Sequence, residues 1–213
     1  LYDFLAAPLV AHLPKGATLI ATSVISPFMV PLKILLMSAF LLALPFVLWQ
    51  VWAFVAPGLY SHEKKLVLPL VVSSTVLFFI GVAFCYYFVF GQVFAFIQSF
   101  APKSITAAPD IEAYLSFVLS MFLAFGLAFE VPIAVVVLAR MGVVSIEKLK
   151  SFRGYFIVIA FVIAAIVTPP DVVSQLALAV PMCILYELGI WAAQLFIKHT
   201  KAPNAAEEET ASS

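Results

Sequence analysis

Charge is what this sequence has least of: Asp, Glu, Lys and Arg make up 10% of its 213 residues, where a soluble domain carries roughly 25%. With 65% hydrophobic residues, the chain has too little polar surface to cover itself in water. Histidine is scarce, and His12, His62 and His199 lie in different regions. No Walker loop, GxSxG or HExxH pattern occurs, and the scattered glycines form no nucleotide-binding cluster, so catalysis is not expected. The two cysteines, Cys85 and Cys183, each sit in an apolar run without a CxxC partner. They read as buried small apolar residues rather than a metal site or a disulfide framework. No cofactor is expected, and a net charge of zero argues against nucleic acid as the main partner.

What the chain does have is long apolar runs, with a mean hydropathy of +1.16. The economical reading is an all-α, polytopic bundle of transmembrane helices. Residues 1–25 mix apolar and turn residues (Pro8, Pro14, Gly16) without sustaining a span, and read as a loop or a short interfacial helix. Five spans follow, at about residues 27–56, 66–96, 111–138, 155–167 and 172–197. Ser26-Pro27 reads as a cap with proline at the first helical position, and Asp110 as the cap of the third span. Together, residues 1–197 form one transmembrane domain, and the polar run from Lys198 to Ser213 reads as a disordered tail.

Basic residues orient the spans. Lys64, Lys65, Arg140, Lys148, Lys150, Arg153, Lys198 and Lys201 fall on one side, leaving Lys15, Lys33 and Lys103 for the other. The richer side is expected to be cytoplasmic, with the C-terminus on it. An odd number of spans then puts Leu1 on the opposite side. Position 1 is Leu and no leader pattern precedes it, which reads as a fragment or processed form whose parent carries one more span upstream.

The fourth span is short. From Arg153 to Thr168 a helix rises about 22 Å, against a hydrocarbon core of roughly 30 Å. The turn Thr168-Pro169-Pro170-Asp171 ends it abruptly, and the apolar part of the fifth span is expected to be equally short, Val172 to Tyr186, before Glu187 interrupts it. Two such neighbours should thin the bilayer or be shielded by a partner.

Polar residues inside the spans are costly, and so they are candidates for function. Glu130 lies in Phe129-Glu130-Val131-Pro132. Pro132 has no N–H, so the carbonyl of Ala128 loses its helical donor and the helix should kink. A kink beside a carboxyl describes a place where water or a polar ligand can enter the bundle; the plainer alternative is a carboxyl bonded to a neighbouring helix. Glu63, in the loop between the first two spans, reads as a solvated charge or as a bidentate reader of arginine. Thr168 and Gln175 flank the Pro-Pro turn and could offer a polar patch to a partner helix, or simply satisfy helix ends. Asp171 reads as the cap of the last helix, and Glu187 as an interfacial charge.

Five motifs, in order, carry a family resemblance. They are Ser26-Pro27-Phe28; Phe54-Val55-Ala56-Pro57-Gly58-Leu59-Tyr60 with His62-Glu63-Lys64-Lys65; Tyr114-Leu115-Ser116-Phe117; Phe129-Glu130-Val131-Pro132; and Thr168-Pro169-Pro170-Asp171. Together they resemble TatC, the receptor subunit of the twin-arginine protein translocase, in its proteobacterial form. The resemblance implies a six-span, glove-shaped bundle of which this chain holds five spans and lacks the first. It implies recognition of folded cargo by an arginine-pair signal peptide and its export across the bacterial inner membrane. The implied partners are the single-span subunits TatB and TatA, the cargo proteins, the lipid bilayer and further copies of the same chain. By the same resemblance Glu63, Phe54, Leu59 and Tyr60 contact the signal peptide, and Glu130 lines an intramembrane polar cavity. Thr168, Gln175 and Ala165 form the docking patch for TatA or TatB, and Pro8 and Asp171 are sensitive positions in the outer loops. The runner-up function is a proton- or ion-coupled solute transporter using Glu130; it predicts repeated spans, and no convincing repeat is present.

Overall fold

The structure, a computed structural model, describes residues 20–55, 67–100, 109–168 and 171–200. Its order is dictated by apolar length. Helix α1 covers Ser26–Val55, and α2, Val67–Phe84, runs through a single π-helical segment at Cys85–Val89 into α3, Phe90–Phe100. Helix α4, Ile111–Ala128, is followed after two residues by α5, Val131–Arg140. A short α6, Ile146–Ser151, leads into α7, Arg153–Val167, and α8, Val172–Thr200, completes the described chain. Four of these stretches are long and apolar enough to cross a membrane: Ser26–Phe54, Leu68–Phe96, Ile111–Arg140 and Val172–Leu195. Helix α7 is the shorter apolar helix.

Helix ends follow local chemistry. Asp110 caps α4 as expected, its carboxylate accepting from the Ala113 N–H at 2.9 Å. Asp171 caps α8, accepting from Ser174 N–H at 2.7 Å. Beyond α5 the chain reverses at Gly142, whose φ of +70° is the left-handed value that favours glycine after a helix. Ser26 departs from expectation. It is the first residue of α1 rather than its cap, and its hydroxyl donates to Glu112 Oε2 at 2.9 Å. The reason is tertiary: Lys33 Nζ pairs with Glu112 Oε1 at 2.8 Å and donates to Ser116 Oγ at 2.9 Å. Nearby, Asp110 also takes the Thr22 N–H and hydroxyl, at 3.0 and 2.9 Å. These bonds tie residues 20–33 to the start of α4. No interfacial helix forms at residues 20–25, which pair Ile20 with Asp110 and then turn; residues 1–19 lie outside the described residues.

The packing is close where glycine allows it. A Cβ on Gly81 would lie 2.5 Å from the carbonyl oxygen of Phe125, and one on Gly126 would strike the buried ring of Phe78. Gly189 of α8 likewise meets the backbone of Pro132, where an added Cβ would sit 2.9 Å from Cα. Small residues at such crossings let helices approach without a water-driven hydrophobic force, as lipid-embedded bundles require. Phe90, Val93, Leu115, Val118, Met121 and Phe125 form the centre of the largest core, with Cys85 fully buried among them. Many large apolar side chains remain exposed, among them Phe28, Leu42, Phe54, Tyr87 and Ile166, as expected of a surface that lipid covers.

The last helix runs through Glu187, as the expected span of 172–197 requires, but its apolar stretch is not cut short at Tyr186: α8 is one continuous helix of 29 residues, and Val172–Leu195 is long and apolar enough to cross a membrane. Glu187 is tolerated because Arg153, at the start of α7, pairs with it in a two-pronged contact, Nε to Oε1 at 2.6 Å and Nη2 to Oε2 at 2.7 Å. The distance from Val172 to Glu187 along α8 is about 22 Å, the same as the length of α7. The ion pair thus joins the start of α7 to α8 about one α7-length along it, and of the two helices only α7 is short. Past the pair, α8 packs on α5 and α6 through Ile190, Ala193 and Leu149, and the Tyr186 hydroxyl donates to the Leu149 carbonyl at 2.8 Å.

Candidate functional site

Glu130 stands at a break in the third span. Helix α4 ends at Ala128, the N–H of Glu130 turns back to the Leu127 carbonyl at 3.1 Å, and α5 starts with Pro132 in its first turn. The expected kink is therefore a full break of two residues, Phe129 and Glu130. The helix resumes because the Glu130 carbonyl accepts from Ala134 N–H at 3.0 Å. Both carboxyl oxygens are buried, and neither has a hydrogen-bond partner among the described residues.

The surroundings of that carboxyl come from two other spans. On α2, Ser74 is fully buried, and its Oγ accepts the Trp52 Nε1–H from α1 at 2.9 Å. Ser74 also lies close enough to Glu130 to act on its carboxyl. Phe78 packs on Gly126, and Gly81 on Phe125; continuing this antiparallel register places Ser74 opposite Glu130. Sequence reasoning missed both Trp52 and Ser74. A serine in an apolar run carries no signal of its own, and its partner is 22 residues away.

The other expected residues are placed as follows. Phe54 is exposed near the end of α1. Thr168 is buried, its hydroxyl donating to the Ala164 carbonyl at 2.8 Å. Gln175 is half-buried on the first turns of α8, and Ala165 is exposed on α7. Asp171 is half-buried at the cap of α8. Glu63, Leu59, Tyr60 and Pro8 lie outside the described residues. A shallow groove of about 340 Å³ runs between the π-helical segment and α8, lined by Phe84, Phe88, Gln92, Val173, Leu176 and Val180 among others. Among the described residues no group of three or more His, Cys, Asp or Glu is arranged to hold a metal ion.

These features define a polytopic helical membrane protein with a carboxyl buried at a broken span and one apolar helix, α7, shorter than the other spans. The comparisons with known proteins narrow the class. A family model described as "Sec-independent protein translocase protein (TatC)" matches residues 1–181. The TatC of Halothiobacillus neapolitanus is 54% identical over 209 residues, covering 98% of this chain and 57% of the relative. That of Haemophilus influenzae is 50% identical over 196 residues, covering 92% of this chain and 77% of the relative. A crystal structure titled as the twin-arginine translocase receptor TatC superposes with a TM-score of 0.79 at 42% identity, covering 91% of this chain and 85% of its own. The chain belongs to the TatC family.

Proposed function

We propose that this chain is the receptor and core subunit of a twin-arginine translocase. It binds arginine-pair signal peptides and exports folded proteins across the bacterial inner membrane together with the single-span subunits TatA and TatB. Family membership supports the class of activity. The observation that carries the site is Glu130, a carboxyl with two oxygens unpartnered among the described residues at a broken helix, where a bundle built only as a scaffold gains nothing from the cost of burial.

In this reading residues 1–197 form the transmembrane domain and residues 198–213 a cytoplasmic tail. The side rich in Lys and Arg faces the cytoplasm, so the loop bearing Glu63 does too. Its carboxylate pairs with the guanidinium groups of the signal, because planar two-pronged recognition suits Arg better than Lys. Phe54, Leu59 and Tyr60 supply apolar contact beside it. The apolar part of the signal then enters the bundle towards Glu130. At the opposite end Thr168, Gln175 and Ala165 dock a partner helix, which shields the edge left by the short α7, while Pro8 and Asp171 shape the outer loops.

Export of an arginine-pair precursor from cells carrying Glu130→Leu in the full-length protein is the test of the intramembrane site. Export is expected to fall at least about tenfold, roughly the 1.4 kcal/mol that separates decades, with the protein still inserted at normal levels. Wild-type export by the leucine variant would remove the case for a polar site at this position.

A further inference from the structure

Among the hydroxyls of the apolar spans, Ser74 behaves differently from its neighbours. Ser73 donates to the Leu70 carbonyl at 2.9 Å and Thr75 to the Val71 carbonyl at 2.8 Å. Ser38, Ser116 and Thr168 do the same within their own helices. This is the ordinary way to silence a hydroxyl where there is no water. Ser74 is fully buried, yet its hydroxyl donates to no carbonyl of its own helix among the described residues; it accepts from Trp52 instead. An oxygen that accepts an indole N–H keeps its proton to donate, and the register described above places α4 and α5 opposite it. There, both oxygens of Glu130 are buried acceptors without a donor among the described residues. A buried acceptor left unmatched keeps its full desolvation cost, so donor and acceptor facing each other across two helices are complementary.

We propose that Ser74, held by Trp52, is the positioning residue for Glu130, completing a chain of side chains Trp52–Ser74–Glu130 that crosses three spans. The inference rests on the reading of Glu130 as a working group and adds what orients it. The indole fixes the serine rotamer, because a hydroxyl that has accepted one fixed donor has few directions left for its own proton. The serine in turn holds the carboxyl towards α2 rather than leaving it to rotate in the break between α4 and α5. Trp52 lies two residues before the exposed Phe54, so the chain joins the end of α1, where the signal peptide is expected, to the intramembrane acid. Each bond in such a chain adds little to stability in a lipid-embedded bundle, because the separated helices also find partners for their polar groups. The expected signature is thus local geometry and activity rather than folding.

The test uses the full-length protein in membranes, with infrared difference spectra that isolate the Glu130 carboxyl as the bands removed by Glu130→Gln, recorded at acid and at alkaline pH. Ser74→Ala is expected to shift those bands and to lower precursor export at least about threefold. Trp52→Phe, which keeps the ring and removes the donor, should shift them in the same direction by less. Ser74→Thr retains the hydroxyl and should restore both readouts. In the Glu130→Gln background, Ser74→Ala should cost no further export. Glu130 bands unmoved by Ser74→Ala, in protein inserted at wild-type level, would overturn the positioning role. Failure of the functional reading is separate: it is seen as normal export by Glu130→Leu, whatever the bands do.

Discussion

Asp110 shows how a single carboxylate does two jobs. It caps α4 through Ala113 and clamps Thr22 through both the backbone N–H and the hydroxyl. Those hydrogen bonds, led by Ala113 and then Thr22, hold its carboxyl below the usual carboxylate range. A carboxylate favoured in the fold contributes stability that is complete above the unfolded value of about 3.9 and is lost as the pH falls through the lower folded value. Acidification is therefore expected to loosen residues 20–25 from the start of α4, and Asp110→Asn should make the melting temperature less sensitive to pH in that acid window. Melting of the purified protein in detergent across the window checks this; equal pH slopes for both proteins would contradict it. Local caps of this kind were legible in the sequence, since the chemistry spans only three residues. Ser26 was misread for the opposite reason. Its partner, Glu112, is 86 residues away, and nothing in a single run of sequence announces a hydroxyl diverted to another helix.

At the scale of elements, apolar length made the helices visible, while charge disguised the apolar length of one of them. Glu187 was expected to end the apolar part of the last span, though not the helix, because an unpaired charge in lipid is costly. Arg153 removes that cost, and α8 continues to Thr200. The break at Glu130 was legible from Pro132, but the π-helical segment at Cys85–Val89 was not: its five residues carry no proline or glycine to mark it. Where helices meet, the clearest prediction is at Gly81. An added methyl would face the Phe125 carbonyl, a backbone atom that cannot rotate aside. Gly81→Ala is expected to cost about 1–3 kcal/mol, the usual toll of overpacking, and to lower the melting temperature. Gly91, with nothing within 4 Å of a built Cβ, is the control, and Gly91→Ala should be neutral or slightly stabilising. Equal effects at the two positions would refute the close crossing of α2 and α4.

For the whole molecule, the bundle reads as a surface for partners. Its described spans leave many large apolar side chains exposed, its apolar helix α7 is shorter than the other spans, and its buried acid is open to a donor. The spans and the polar positions Glu130, Thr168 and Gln175 could be picked out from residue chemistry, because costly groups stand out in an apolar background. Glu63 could not be ranked that way, since a loop glutamate is usually just solvated; the family resemblance raised it. Reading of an arginine pair by this chain is tested most directly by the retention of a labelled precursor on the full-length membrane protein. An arginine-pair precursor is expected to crosslink near the loop between the first two spans. Replacing the pair by two lysines, or Glu63 by Gln, should reduce that crosslinking at least about tenfold, while the level of protein in the membrane stays unchanged. Equal crosslinking of the arginine-pair and lysine-pair precursors to both wild-type and Glu63→Gln protein would contradict it.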